Sequence, residues 1–120
     1  MTVDRRQQLL PDSIRETLPA LYSQEELGLM ALARVNFFTP DSNWTWYASE
    51  GSPVDENGYY DTDKPKVDFL LFGLVVGHDA ELGYFSLTEL AEVHGPMEFP
   101  IERDLHFAQK TLQDIIHENE

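Results

Sequence analysis

Residues 36–49, NFFTPDSNWTWYAS, pack five aromatic rings around one compact polar turn and carry a single charge, Asp41. Upstream, Ala33, Val35 and Phe37 alternate with Arg34, Asn36 and Phe38, the period-two pattern of a strand with two unlike faces. Thr39, Pro40, Asp41, Ser42 and Asn43 are dense in turn formers. Beyond them Trp44, Trp46 and Ala48 share one face and Thr45, Tyr47 and Ser49 the other, so a β-hairpin is expected over residues 33–50.

Outward from this hairpin, residues 69–77 read FLLFGLVVG, apolar on both faces, which points to a strand at the centre of a sheet. Gly77, His78 and Asp79 turn the chain, and residues 80–86 return with Leu82, Tyr84 and Phe85, completing a second hairpin over 69–86. Ser86 followed by Glu89 forms a capping box for a helix striped with Leu87, Leu90 and Ala91 and closed by Gly95-Pro96. Ile101, Arg103, Leu105 and Phe107 share one face of a possible edge strand, and Thr111 caps a last helix carrying Leu112, Ile115 and Ile116. Near the start, Pro11 and Pro19 break a helical extension over 1–17, with Leu18, Leu21 and Tyr22 free to cover one edge of the core. Ser23 is expected to cap a short helix with Glu25 and Glu26 in its first turn and Gly28 as its stop. Residues 51–66 read as one long acidic loop, and 117–120 as a frayed end. The expected fold is a single α+β domain over 1–120: an antiparallel sheet of four or five strands in two hairpins, with short helices packed on one face.

The chain has 120 residues, of which 42% are hydrophobic and 25% charged, a balance that supports one packed core rather than disorder. It has no cysteine, which removes thiolate nucleophiles, sulfur-bound zinc and disulfides. No apolar run is long enough for a bilayer and the first residues lack the apolar core of a secretory signal, so a cytoplasmic protein without membrane contact is expected. Net charge is −14, and residues 36–100 hold twelve acids against Lys64 and Lys66, or −10 of it. Such a field repels phosphates and favours a basic protein surface as partner, for example that of a nucleic-acid-binding protein.

Nothing in the sequence spells out a reaction. The histidines, at 78, 94, 106 and 117, match no zinc spacing, and no G-x-S-x-G elbow or phosphate loop occurs, so neither metal nor cofactor is expected. Asp55, Asn57, Asp61 and Asp63 offer oxygen donors but not the order of a calcium loop, and a solvated loop is the simpler reading. Glu102, Arg103, Asp104 and His106, with Asp41, are the weak catalytic candidates, an acid, base and anion clamp if they converge and an ion-pair lock otherwise. The candidate interaction residues are Trp44, Trp46 and Tyr47 from the hairpin and Asp55, Glu56, Asp61, Asp63 and Glu81 from the acidic region. Stacking of nucleobases on these aromatics is opposed by the surrounding acids, so no direct nucleic-acid contact is expected.

The segments FFTPDSNWTWYASE, LLFGLV, ELGYFSLTEL, GP and PIERDLHF, in this order, resemble the bacterial family called domain of unknown function 2958, over about residues 18–112. The pattern falls on Phe37 through Tyr47, Glu81 through Leu87, and Pro100 through Asp104, while the loop over 51–66 departs from it in length and acidity. The resemblance implies cargo of plasmids, phages and integrated conjugative elements, often beside antirestriction-type genes, with no activity established for the family. Three functions follow as expectations: an interaction or inhibitor protein acting on a host defence or DNA-processing protein, in its extreme form by DNA mimicry; a small hydrolase or nucleotide-modifying enzyme; or a homo-oligomeric module such as a homodimer.

Overall fold

In the structure, a computed structural model describing residues 5–119, the chain runs through α1 (Arg5–Leu9), α2 (Asp12–Arg15), a 3-10 turn (Glu25–Met30), β1 (Leu32–Ala33), β2 (Val35–Phe38), β3 (Thr45–Val54), β4 (Asp68–Val76), β5 (Ala80–Ser86), α3 (Leu87–Glu92), β6 (Glu102–Arg103), β7 (Lys110–Thr111) and α4 (Leu112–Glu118). Residues 1–4 of the expected helical extension and residue 120 of the expected frayed end lie outside the described residues.

Five strands form an antiparallel sheet in the order β5-β4-β3-β2-β6, and β1 pairs separately with β7. The fold is α+β. Both hairpins form as expected, β2 with β3 and β4 with β5, and the Arg103 segment joins as the edge strand beside β2. Buried Asn36 ties the first hairpin across its base, donating from Nδ2 to Thr45 Oγ1 at 2.6 Å and to the Trp46 carbonyl at 3.0 Å. The tight middle of the sheet is set by Gly73, which stands opposite both Ala48 and Gly83 and where a Cβ would run into the Tyr47 carbonyl.

Alternation along β4 divides the core in two. Phe69, Leu71 and Val75 point to a cluster with Phe37, Trp46, Phe85, Leu9 of α1 and Leu87 and Leu90 of α3. Leu74 and Val76 point the other way, to Ala33 and to Leu112 and Ile115 of α4. The helices are therefore shared between the faces rather than gathered on one, because β4 is apolar on both sides and each side needs cover. Ala33, expected to share a face with Val35 and Phe37, sits in the α4 cluster instead, because the strand is interrupted at Arg34, whose N–H donates to the Ala48 carbonyl at 2.7 Å.

Caps follow local chemistry where the partner is local. Ser86 and Thr111 accept from the amides of Glu89 and Asp114, at 3.0 and 3.1 Å, and open α3 and α4. Ser23 does not cap. Its hydroxyl donates back to the Ala20 carbonyl, and the segment after it is a 3-10 turn bent at Gly28, where φ is 53°. α3 ends at Glu92, ahead of Gly95-Pro96, as His94 and Pro100 form an isolated bridge. α4 includes His117 and Glu118, and Lys110 Nζ meets Glu118 Oε2 at 2.6 Å at its end.

Candidate interaction surface

The second half of β3 decides what the open side of the sheet displays. Ala48 pairs with Gly73 and Glu50 with Phe72, so Ser49 is an extra residue, a β-bulge. Strict alternation would send Glu50 to the side of Trp46 and Ala48, into the apolar core. The bulge turns it to the opposite face, where it is 2% exposed. There Oε1 accepts the Tyr22 amide at 2.9 Å and Oε2 the Gln24 amide at 2.8 Å. The next two residues continue the seam: Gly51 N donates to the Pro19 carbonyl at 2.9 Å, and Ser52 Oγ accepts the Leu21 amide at 3.0 Å. β3 thus runs to Val54, and the first four residues of the expected acidic loop are strand.

This seam holds Tyr22 at φ 70°, a left-handed conformation that costs a non-glycine residue about 1–2 kcal/mol. The two charge-assisted bonds to Glu50 offset that cost. The consequence is a tyrosine cluster: the Tyr22 ring lies 5.7 Å from Tyr60 and 6.3 Å from Tyr84, and Tyr84 lies 4.8 Å from Phe72. Tyr22, Tyr60 and Tyr84 stay 43%, 42% and 51% exposed. Partial burial of its ring, then the hydrogen bond with Tyr22 and the negative charges of Glu50 and Glu25, raise the Tyr84 phenol above its ordinary value. Beside the cluster is a hollow of about 190 Å³ bounded by Glu25, Gly28, Ser49, Glu50, Phe72 and Leu82.

Asp55 organises the loop that delivers Tyr60. It is buried, with Oδ1 accepting the Asn57 and Tyr59 amides at 2.8 and 3.0 Å and Oδ2 the Thr62 hydroxyl at 2.6 Å. The Thr62 hydroxyl above all, then the Tyr59 amide, hold its carboxyl below the usual carboxylate value. Asp55 is therefore a loop anchor, not a contact residue, and its oxygens are committed to donors rather than offered to a cation. Glu56, Asp61, Asp63 and Glu81 are exposed.

The tryptophans divide. Trp46 is buried, whereas Trp44 is 42% exposed, stacked at 6.2 Å on Trp46, edge-on to His78 at 6.1 Å, and laid over Gly77, where a Cβ would meet its ring. Tyr47 is half-buried against Phe107 at 5.8 Å. Asp41 Oδ2 accepts the Met97 amide at 2.6 Å, and its Oδ1, packed against Gly95, is buried without a hydrogen-bond partner among the described residues. Asp104 donates its amide to the Asn36 carbonyl at 2.9 Å and accepts the His106 amide, not the imidazole, at 2.9 Å. Glu102 borders a hollow with Arg5, Pro40, Phe99 and Pro100, while Arg103 beside it pairs with Phe37. Among the described residues no three acids or histidines gather as a metal-binding set.

Glu50 and Tyr60 escaped the sequence reading, and Tyr22 entered it only as cover for one edge of the core. The signal for Glu50 was present, since a carboxylate in step with Trp46 and Ala48 marks a break in alternation. The tyrosines gave none, because their meeting depends on a bond spanning 28 residues of chain.

Fold and surface define a small α+β domain built on an antiparallel sheet, covered by α1 and α3 on one face and by α4 over one end of the other, which is open and aromatic at its far end. The chain belongs to the family described as protein of unknown function (DUF2958), which it matches over residues 9–117. No curated protein and no solved structure matches it. Among the described residues no helix is long and apolar enough to cross a membrane.

Proposed function

We propose that this protein is a non-enzymatic interaction protein whose open aromatic face, rimmed by acids, binds a basic protein surface. The carrying observation is the tyrosine cluster, three half-exposed rings fixed over a buried carboxylate with Glu25 beside them. Tyrosines held by a rigid scaffold supply contact area at low entropic cost, and the phenol hydroxyls give hydrogen bonds at the rim. A net charge of −14 selects a basic counterpart and opposes close approach of a second copy. The partner class that fits is a host defence or DNA-processing protein presenting its nucleic-acid-binding site, with Glu56, Asp61, Asp63 and Glu81 standing where phosphates would otherwise lie.

The test compares the wild-type protein with a Tyr22→Ala, Tyr84→Ala double variant as bait in host lysate, with recovery measured between 50 and 200 mM salt. The expected result is a partner captured only by the wild type, lost as salt rises, and unable to hold DNA once bound. Equal capture by both baits, or a partner that still binds DNA in the complex, overturns the reading. Solution mass separates this from a homodimer, which would double the 13.8 kDa of one chain.

A further inference from the structure

Three of the eight basic residues, Arg6, Arg15 and Lys66, border one cleft of about 270 Å³ between the first two helices and the start of β4. In a chain with 22 acids this grouping is unexpected by composition. The Arg15 guanidinium carbon lies over the Phe69 ring, 5.0 Å from its centroid, and one terminal N–H donates to the Leu10 carbonyl at 3.2 Å, while its buried Nε has no partner among the described residues. Lys66 Nζ donates to the Thr62 and Lys64 carbonyls at 2.6 and 3.3 Å. Carbonyls accept these hydrogen bonds without neutralising the charge. The acid in the wall, Asp68, has Oδ1 committed to the amides of Phe69 and Thr88 at 2.8 and 3.1 Å. Arg6 is engaged with the Val67 carbonyl and Thr88 Oγ1, at 3.2 and 3.4 Å, so binding is assigned to Arg15 and Lys66.

We propose that this cleft is a binding site for a phosphate or a phosphate monoester. The guanidinium of Arg15, fixed by its aromatic support, offers a planar fork that suits a tetrahedral oxyanion, and Lys66 adds a mobile point charge. Gln7 in the wall supplies a neutral amide donor. The cleft is smaller than the roughly 300–1,000 Å³ of drug-sized ligand sites, which favours a small anion over a whole nucleotide. Because the chain as a whole repels anions, attraction acts at short range only.

Inorganic phosphate and glycerol phosphate are titrated separately against the full chain at constant ionic strength, following backbone amide shifts, with chloride as control. Saturable shifts at Gln7, Arg15 and residues 66–69 are expected, weakened about tenfold by Lys66→Gln, the loss of one charge-assisted bond. Arg15→Gln should weaken binding at least as much, and the exposed Lys66 variant guards against disturbed packing around Phe69. Tighter binding of the monoester assigns the ester, and equal binding assigns the free ion. Shifts that do not saturate by about 20 mM, weaker than any useful phosphate affinity, or wild-type affinity in both variants, overturn the proposal.

Discussion

On one face of the sheet Phe69, Leu71 and Phe85 are 3%, 0% and 4% exposed under α1 and α3, whereas on the other Leu82 and Tyr84, alternating with them along the same strands, are 48% and 51% exposed. Both faces draw on the same two hairpins, and both look apolar in sequence. They differ in what covers them. α4 shields only the end of the second face around Leu74 and Val76, leaving the other end to the segment carrying Tyr22. A buried face is thus defined by its helices, and an interaction face by the stretch those helices leave free.

The contrast can be broken most sharply on the closed face. Leu71→Ala is expected to cost about 3 kcal/mol, visible as a lower urea midpoint at unchanged slope, because the site is fully enclosed and cannot collapse. A cost under about 1 kcal/mol would mean the two faces are equally loose. Next is Glu50→Ala, expected to cost about 2 kcal/mol by stranding the Tyr22 and Gln24 amides, and to accelerate hydrogen exchange at both. Unchanged exchange at those amides would show that the seam does not depend on the carboxylate.

The smallest effect is confined to acid. Asp55 has a folded-state value below its unfolded value of 3.8, so its stabilising contribution is present above that pH and fades as pH falls through the lower folded value. Asp55→Asn should flatten that acid limb in a pH series of unfolding curves and loosen Tyr60 without touching the closed face. An acid limb identical to wild type would remove Asp55 as the loop anchor.

Much of the closed face was legible in sequence. Residues 69–77 announced a central strand by being apolar on both sides, and Ser86 with Glu89 announced a helix start, because each signal and its partner lie within a few residues. The open face was hidden for the opposite reason. Ser23 looked like a cap, yet the amides nearby were claimed by Glu50 from 26 to 28 residues away. Residues 51–54 looked like loop, with Gly51, Ser52 and Pro53 all poor strand formers, yet tertiary pairing with β4 overrides that preference. Of the interaction candidates, Trp44 and the exposed acids were readable as surface, while Trp46 and Asp55 are internal for reasons that only packing reveals.

The bulge at Ser49 also has a genetic meaning. Deleting that one codon would remove the bulge yet leave the pairing intact, since Ala48 and Glu50 would stand side by side opposite Gly73 and Phe72; deleting the Gly51 codon instead would move Ser52 opposite Leu71, into the core, and shift every residue after it to the other side. Substitution at Ser49 removes only a hydroxyl that donates to the Phe72 carbonyl at 3.2 Å. At the bulge itself neither the side chain nor the length of the chain is fixed by the pairing, whereas from Gly51 onward the length is. A library of single-codon deletions should therefore find the protein tolerant at Ser49, as it is of Ser49→Ala, and intolerant at Gly51.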